Sequence, residues 1–200
     1  MIICCIGDSL TEGDYGIPNT RGVANVHAEN YPHFLARMTG AEVRNYGRCG
    51  CRAGFSRDWY RAGGIRVQDA DIVIILLGTN GGQSADGDSS DNQAYRELVA
   101  EIRRDAPAAR VYLCTPPHVT VDPAMANCGY APQVAEAVGF VRRLATETGL
   151  PLIDLAADPH FTDETEKVMQ PNDGLHFTET GYRTLAAVIC AAIGCANHGC

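Results

Sequence analysis

Ser9, Asp173 and His176 are the residues whose types could act together in catalysis, as a nucleophile, an orienting acid and a base. A serine hydroxyl attacks a carbonyl carbon only when a base within hydrogen-bond reach takes its proton, and a histidine is such a base when a carboxylate fixes its tautomer. Asp173 and His176 are three residues apart, so one short loop can present both to Ser9. The set predicts acyl transfer through a covalent serine intermediate.

Donors for the oxyanion of such a reaction follow two other apolar runs. Gly50 can offer a backbone N–H with no side chain in the way, and Asn80, in the segment Gly-Thr-Asn-Gly at residues 78–81, can offer its side-chain amide. The backbone N–H of Ser9 is a third donor. We therefore predict an oxyanion hole made by Ser9, Gly50 and Asn80.

Short apolar runs alternate with longer segments of helical period, which is typical of an α/β domain with a mostly parallel sheet. Most of the runs are continuously apolar, as expected for strands that helices cover on both faces. In such sheets the loops that leave the carboxyl ends of the strands form the binding crevice. The five predicted strands are residues 2–6, 42–46, 71–77, 110–115 and 150–155.

Four helices are predicted from apolar stripes and their end signals. One follows a cap at Ser90 or Asp91, one ends at Gly149, and one begins after Thr178. A fourth, over residues 31–38, ends before Gly40. With 200 residues, the chain is expected to fold as one domain over residues 1–200.

The chemical residues fall in four segments whose order resembles the SGNH, or GDSL-type, ester hydrolase family. Gly-Asp-Ser-Leu at residues 7–10 matches the nucleophile block, Gly50 the oxyanion glycine block, Gly-Thr-Asn at 78–80 the oxyanion asparagine block, and Asp173-x-x-His176 the dyad block. The resemblance spans residues 7–176. It implies a three-layer α/β/α sandwich with a flavodoxin-like five-stranded sheet, a catalytic triad of Ser9, His176 and Asp173, and no cofactor.

One position departs from the family pattern, because Gly81 stands where the asparagine block usually has Asp. Since Asn80 carries the oxyanion role, we expect this change to alter loop packing rather than chemistry. A competing structural interpretation of Ser9 itself is that it caps a helix.

Further residues near these segments are candidates for substrate binding. Arg48 and Arg52 flank the oxyanion glycine and suit an anionic or sugar-like group, although solvated surface arginines are an equal alternative. Asp8 adjoins the nucleophile, and His118 follows the fourth strand; a loop histidine without a role is the alternative there.

Two segments are candidates for the wall of the substrate pocket. A long Gly- and Asn-containing segment at residues 13–29 directly follows the nucleophile, and loops of this length are often functional. We expect it to help form the acyl or alcohol pocket together with Trp59 and Tyr60.

The expected substrates are short-chain acyl esters, acetyl esters in particular, of a carbohydrate or small glycoside. This rests on polar loops and on the lack of a long apolar lid. The alternatives are a lysophospholipase or platelet-activating-factor-acetylhydrolase-like lipase, an acyltransferase, and a catalytically silent carbohydrate-binding module of the same fold.

Composition and charge exclude some classes of partner and of location for this protein. A net charge of -8 and a pI near 5.1 argue against a nucleic-acid partner, since phosphate affinity comes from clustered Lys and Arg. The longest apolar run, residues 72–77, is too short for a membrane span. The start of the chain lacks a signal-peptide pattern, so a cytoplasmic location is expected.

Cysteine is abundant, with nine residues, but several lie in apolar runs and are expected to pack as small hydrophobes. Cys49-x-Cys51 and Cys195-x-x-His198-x-Cys200 are the only groupings that suggest zinc, and neither has the usual spacing of a structural site. No metal site is therefore predicted.

Overall fold

The computed structural model describes residues 1–17 and 23–195, and its centre is a five-stranded parallel sheet in the order β2-β1-β3-β4-β5. The number and positions of the strands confirm the prediction from the sequence. The last strand is much shorter than predicted, because the chain turns into a 3₁₀ helix at Leu155–Ala157. The strands are β1 Ile2–Gly7, β2 Glu42–Gly47, β3 Ile72–Leu76, β4 Arg110–Cys114 and β5 Leu152–Ile153.

The four predicted helices are present, and their end signals act largely as expected. Gly40 and Gly149 end their helices in the left-handed conformation, and the Thr178 side chain accepts a hydrogen bond from the Gly181 N–H. The predicted cap at Ser90 or Asp91 is wrong by one residue, because the hydroxyl of Ser89 accepts from the Asn92 N–H. The helices are α1 Ser9–Glu12, α2 Tyr31–Thr39, α3 Ala53–Arg61, α4 Ser90–Asp105, α5 Ala131–Thr148, α6 Glu166–Met169 and α7 Glu179–Ala192.

Three of these helices were not predicted. α1 and α6 have only four residues each, which is too short for an apolar stripe to be read. α3 buries only Ala53, Ser56 and Tyr60 and has no aliphatic stripe, since its remaining residues are Gly54, the aromatic Phe55 and Trp59, and three charged side chains.

Helices cover both faces of the sheet, and alternate residues of each strand face opposite layers. In β3, Ile72 and Ile74 belong to a core with α2 and α7, whereas Val73 and Ile75 belong to a core with α3 and α4. α5 contributes to both cores, with Val138 on one side and Phe140 on the other. This confirms the predicted α/β/α sandwich.

The strand order brings the first three carboxyl ends together. β1 lies between β2 and β3, and Gly7 is in register with both Gly47 and Leu76. The turn into α1 packs directly on the end of β2, since a Cβ at Gly47 would lie 2.0 Å from the Glu12 backbone nitrogen. A residue with a side chain at this position would push α1 and Ser9 away from the strand ends, so glycine at this position fixes the place of Ser9.

Candidate active site

Ser9 is the first residue of α1, directly beyond the end of β1. The N-cap position belongs to Asp8, whose Oδ1 accepts a hydrogen bond from the Leu10 N–H at 3.0 Å. The helix-cap interpretation of Ser9 is therefore wrong, and its hydroxyl is free to bond elsewhere.

The hydroxyl of Ser9 lies 2.9 Å from Nε2 of His176, and Nδ1 of the same ring lies 2.6 Å from Oδ2 of Asp173. The other carboxylate oxygen of Asp173 accepts the N–H groups of Leu175 and His176 at 3.0 and 2.9 Å. The carboxylate is thus held by its own loop and presents one oxygen to the imidazole. Because the Nδ1–H group donates its hydrogen bond to Asp173, Nε2 carries no proton and can accept the proton of Ser9.

Charge around the imidazole favours its protonated form. Burial disfavours the imidazolium, but the hydrogen bond and charge of Asp173, with smaller contributions from Asp14 and Asp8, raise the pKa of His176 above its usual value. Burial likewise acts against ionisation of Asp173, yet the bonds from His176 and from the backbone N–H groups hold the pKa of that carboxyl below its usual value. The pair is arranged to receive a proton at His176 while Asp173 stays ionised.

Asp14 is a site residue that the sequence did not reveal. It is 4% exposed, its Oδ1 accepts the N–H groups of Gly16 and Asn25 at 2.9 and 2.8 Å, and its Oδ2 lies 3.8 Å from Nε2 of His176. No motif marks it, because its position depends on how the chain after α1 curls back to Asn25.

The three predicted oxyanion donors surround one cavity with the triad. Gly50 has a φ of +73°, and the space where a Cβ would stand is empty. One amide hydrogen of Asn80 goes to the Cys51 carbonyl at 3.0 Å, which orients the side chain and leaves its second hydrogen for a ligand. Among the described residues, the N–H groups of Ser9 and Gly50 donate to no protein acceptor.

The glycine that departs from the family pattern packs against α5. Gly81 has a φ of +71°, and a Cβ there would lie 2.7 Å from Oε1 of Gln133. Gln133 also donates a hydrogen bond to the Thr79 carbonyl at 3.3 Å. The Gly81 turn therefore packs closely on α5, while Asn80 lies in the cavity wall.

The triad opens into a cavity of about 320 Å³. The segment 13–29 contributes Asp14, Val23 and Ala24 to its wall, as expected, while Trp59 and Tyr60 are absent from it. The Tyr60 hydroxyl bonds to Asp105 at 2.8 Å in the layer behind, so this pair does not line the triad cavity. Residues 18–22 of the segment lie outside the described residues. The complete lining is Ser9, Asp14, Val23, Ala24, Cys49, Gly50, Asn80, Asn127, Tyr130, Asp173, Leu175 and His176.

Cys49, Asn127, Tyr130 and Leu175 were also missed as cavity residues. Asn127 and Tyr130 come from the connection between β4 and α5, which carries no recognisable motif. Burial, with the neighbouring carboxylates Glu12 and Asp14, raises the pKa of the Cys49 thiol, so this cysteine is not a competing nucleophile.

Two of the predicted substrate-binding residues do not reach the cavity. Asp8 is fully buried beneath the nucleophile, and burial raises the pKa of its carboxyl to about 6. His118 is turned towards the α6 region, with Nε2 2.9 Å from Glu166 and 3.3 Å from Asp163. The structure therefore places neither residue where it could bind a substrate in the cavity. Asp8 caps α1, and His118 contacts Glu166 and Asp163.

The two predicted arginines line an adjoining groove rather than the triad cavity. This groove shares Cys49 and Gly50 with the cavity. Arg52 is ion-paired to Asp91 at 2.7 Å, and the Arg48 guanidinium lies 5.8 Å from the centre of the Trp59 ring.

One cluster of ligand-type side chains occurs in the part of the chain that the structure describes. The ligand atoms of His118, Asp163 and Glu166 lie within 4.8 Å of one another, outside the triad cavity. The cysteine grouping near the end of the chain lies mostly outside the described residues. Within those residues, no helix combines the length and apolar character needed to cross a bilayer.

Comparison with known proteins agrees with this geometry. The GDSL-like Lipase/Acylhydrolase family matches residues 5–184 of the chain. An acetylxylan esterase from Xylanibacter ruminicola is 27% identical to this chain over an alignment 218 positions long, which covers 96% of this chain. The chain spans 42% of the length of that protein.

Solved structures share the fold at low sequence identity. An aryl esterase from M. smegmatis superimposes with a TM-score of 0.77 at 20% identity, covering 96% of this chain and 97% of that one. A carbohydrate acetylesterase from Sinorhizobium meliloti gives a TM-score of 0.72 at 17% identity, again covering 96% and 97%. Since the family match extends over residues 5–184, this chain belongs to the GDSL-like lipase/acylhydrolase family.

Proposed function

We propose that this chain is an esterase whose nucleophile is Ser9, and that its substrates are short-chain acyl esters, acetyl esters in particular, of a carbohydrate or small glycoside. The observation that carries the proposal is the hydrogen-bonded line from Ser9 through His176 to Asp173, which opens into a cavity of about 320 Å³.

The mechanism follows from the positions of the protons. Nε2 of His176 takes the Ser9 proton as the hydroxyl oxygen bonds to the ester carbonyl carbon, and Asp173 stabilises the imidazolium. The N–H groups of Ser9 and Gly50 and the Asn80 amide donate to the oxyanion. The imidazolium then protonates the leaving alcohol. In the second half, His176 takes a proton from water as the water oxygen bonds to the acyl carbon. The imidazolium then returns a proton to the Ser9 oxygen as the bond between that oxygen and the acyl carbon breaks, which releases the acid and restores Ser9.

The character of the cavity supports a small acyl group. Its aliphatic side chains are Val23, Ala24 and Leu175, and most of the remaining wall is polar. A long acyl chain gains its affinity from contact with many apolar side chains, and a cavity of this volume with three aliphatic side chains leaves little room for one. Two relatives act on acetylated carbohydrates by name, the acetylxylan esterase and the carbohydrate acetylesterase, and the proposal extends that substrate class to this chain.

Labelling with a fluorophosphonate tests the nucleophile. We expect one covalent adduct on Ser9, and neither adduct nor turnover of p-nitrophenyl acetate in Ser9→Ala. Ser84→Ala is the matched control, because the Ser84 hydroxyl bonds to the Gly87 N–H in a loop outside the cavity. Turnover that survives in Ser9→Ala would exclude Ser9, and an unreactive wild-type protein would favour a silent binding module.

A substrate panel tests the acyl and alcohol specificity. The purified protein is assayed with p-nitrophenyl acetate, butyrate and octanoate, an acetylated oligosaccharide and a lysophospholipid. We expect kcat/KM to fall from acetate to octanoate and acetate to be released from the oligosaccharide. Faster turnover of the lysophospholipid would contradict the proposal in favour of a lipase. Acyl transfer to an added sugar faster than hydrolysis would make the chain a transferase.

A further inference from the structure

A second depression, the arginine groove, adjoins the triad cavity across the oxyanion glycine. Its volume is about 420 Å³, and it shares Cys49 and Gly50 with the triad cavity. A ligand bound at Gly50 therefore has room on both sides. The groove is lined by Arg48, Cys49, Gly50, Cys51, Arg52, Phe55 and Asp91.

The two arginines of the groove differ in their partners. Arg52 is neutralised by Asp91 at 2.7 Å, and the other oxygen of Asp91 accepts the Gly54 N–H at 3.2 Å. Arg48 has no ion-pair partner among residues 1–17 and 23–195. Its guanidinium lies over the Trp59 ring, which holds the charge in place without neutralising it.

The groove also has an exposed aromatic side chain near the Arg48 guanidinium. This side chain is Phe55, which is 50% exposed, with its ring 6.2 Å from that of Trp59. The groove thus combines a free guanidinium with an accessible aromatic ring. Such a surface suits a ring-shaped polar group that carries a negative charge.

The triad cavity on the other side of Gly50 has the opposite charge. The carboxylate of Asp14 lies in the cavity wall, with one oxygen 3.8 Å from Nε2 of His176. The groove instead carries the positive charge of Arg48, two residues before Gly50. A carboxylate on the substrate is therefore repelled from the cavity and attracted to the groove.

The size of the acyl group determines which part of the ester can fill the groove. If the acyl group is acetyl, its single methyl group stays next to Ser9 and cannot extend past Gly50. Any group in the arginine groove must then belong to the alcohol. This step rests on the proposed function.

We propose that the arginine groove is a subsite for the alcohol part of the substrate and that it selects alcohols carrying a carboxylate, such as an acetylated sugar chain with a uronic acid. The carboxylate pairs with Arg48, and a sugar ring lies against Phe55.

The test compares an acetylated oligosaccharide that bears a uronic acid with its carboxyl-reduced, neutral counterpart. The measured quantity is the ratio of their kcat/KM values. In the wild-type protein we expect the acidic substrate to be preferred through a lower KM, with a preference that declines as salt is added. Arg48→Ala should reduce the ratio about fivefold, the upper end for a solvent-exposed ion pair.

Arg183→Ala is the matched control, since its guanidinium also lies over an aromatic ring, 4.8 Å from the centre of Phe34, in the α2–α7 layer. It should leave the ratio unchanged. Arg48→Lys keeps the charge and should retain most of the preference. A wild-type ratio at or below one, or a ratio that Arg48→Ala does not change, overturns the subsite.

A second substrate pair separates this failure from a failure of the proposed function. If neither oligosaccharide releases acetate, the carbohydrate assignment fails. The groove is then tested with para-acetoxybenzoate and its neutral amide, para-acetoxybenzamide, whose charge difference is on the alcohol side of an acetyl ester. A preference for the benzoate that Arg48→Ala removes supports the subsite, and equal rates that do not depend on Arg48 overturn it.

Discussion

Replacing Asp173 with Asn tests whether the carboxylate holds His176 in its reactive tautomer. Asn has the same size, and its oxygen can still accept the N–H groups of Leu175 and His176. Its amide nitrogen, however, would stand where Oδ2 now lies, 2.6 Å from Nδ1 of His176. Nδ1 must then become an acceptor, so the ring proton moves to Nε2, and Nε2 can no longer take the proton of Ser9.

The size of the loss follows from these contacts. A hydrogen bond between an imidazolium and a carboxylate is worth about 1.5–3 kcal/mol, and breaking the new amide bond to restore the reactive tautomer costs about 1 kcal/mol. A total of about 3 kcal/mol corresponds to a rate loss of roughly 150-fold. The true loss should be no smaller, because the His176 side chain is only 15% exposed and its charge is poorly screened.

The assay is kcat for p-nitrophenyl acetate on the wild type and the variant, with circular dichroism to confirm folding. Asp158→Asn is the matched control, since Asp158 accepts from Nδ1 of His160 at 2.8 Å in a pair outside the triad cavity. It should keep wild-type activity. An Asp173→Asn variant that retains more than about a tenth of kcat, or an equal loss in Asp158→Asn, would refute the tautomer argument.

Three further changes have defined outcomes. Asp14→Asn removes a negative charge 3.8 Å from Nε2 of His176 and should lower the pKa of that histidine. Because His176 must be neutral to act as a base, the acid limb of the kcat/KM profile should move to lower pH. A shift to higher pH would contradict this. Asp8→Asn removes a buried carboxyl whose pKa is raised to about 6. The folded state therefore binds more protons than the unfolded one, and the contribution of Asp8 to wild-type stability falls by about 2 kcal/mol as pH rises from 4 to 7. Urea unfolding should show that the variant lacks this loss, and an identical pH dependence would exclude it. Asn80→Ala should lower kcat about 100-fold with a smaller change in KM, as expected for a transition-state donor, and steady-state kinetics that show only a higher KM would contradict that role.

Local sequence determined the five strands, the helices α2, α4, α5 and α7, and the four chemical segments. Continuous apolar runs specify buried strands, and residues such as Gly149 and Thr178 specify helix ends, because these effects act within a few residues. The nucleophile, base, acid and oxyanion donors were predicted because each follows a predicted strand, and parallel strands end at one edge of the sheet.

Only the tertiary structure decided what surrounds these residues. Asp14 lies near His176 although the two are far apart in the sequence. The chain beyond α1 folds back, and the N–H groups of Gly16 and Asn25 donate hydrogen bonds to the Asp14 carboxylate. Asp8 adjoins the nucleophile in sequence, yet helix capping turns it into the core, and His118 turns towards Glu166. Periodicity and capping depend on neighbouring residues, whereas the environment of a side chain depends on strand order and loop path, which bring together residues that no local pattern connects.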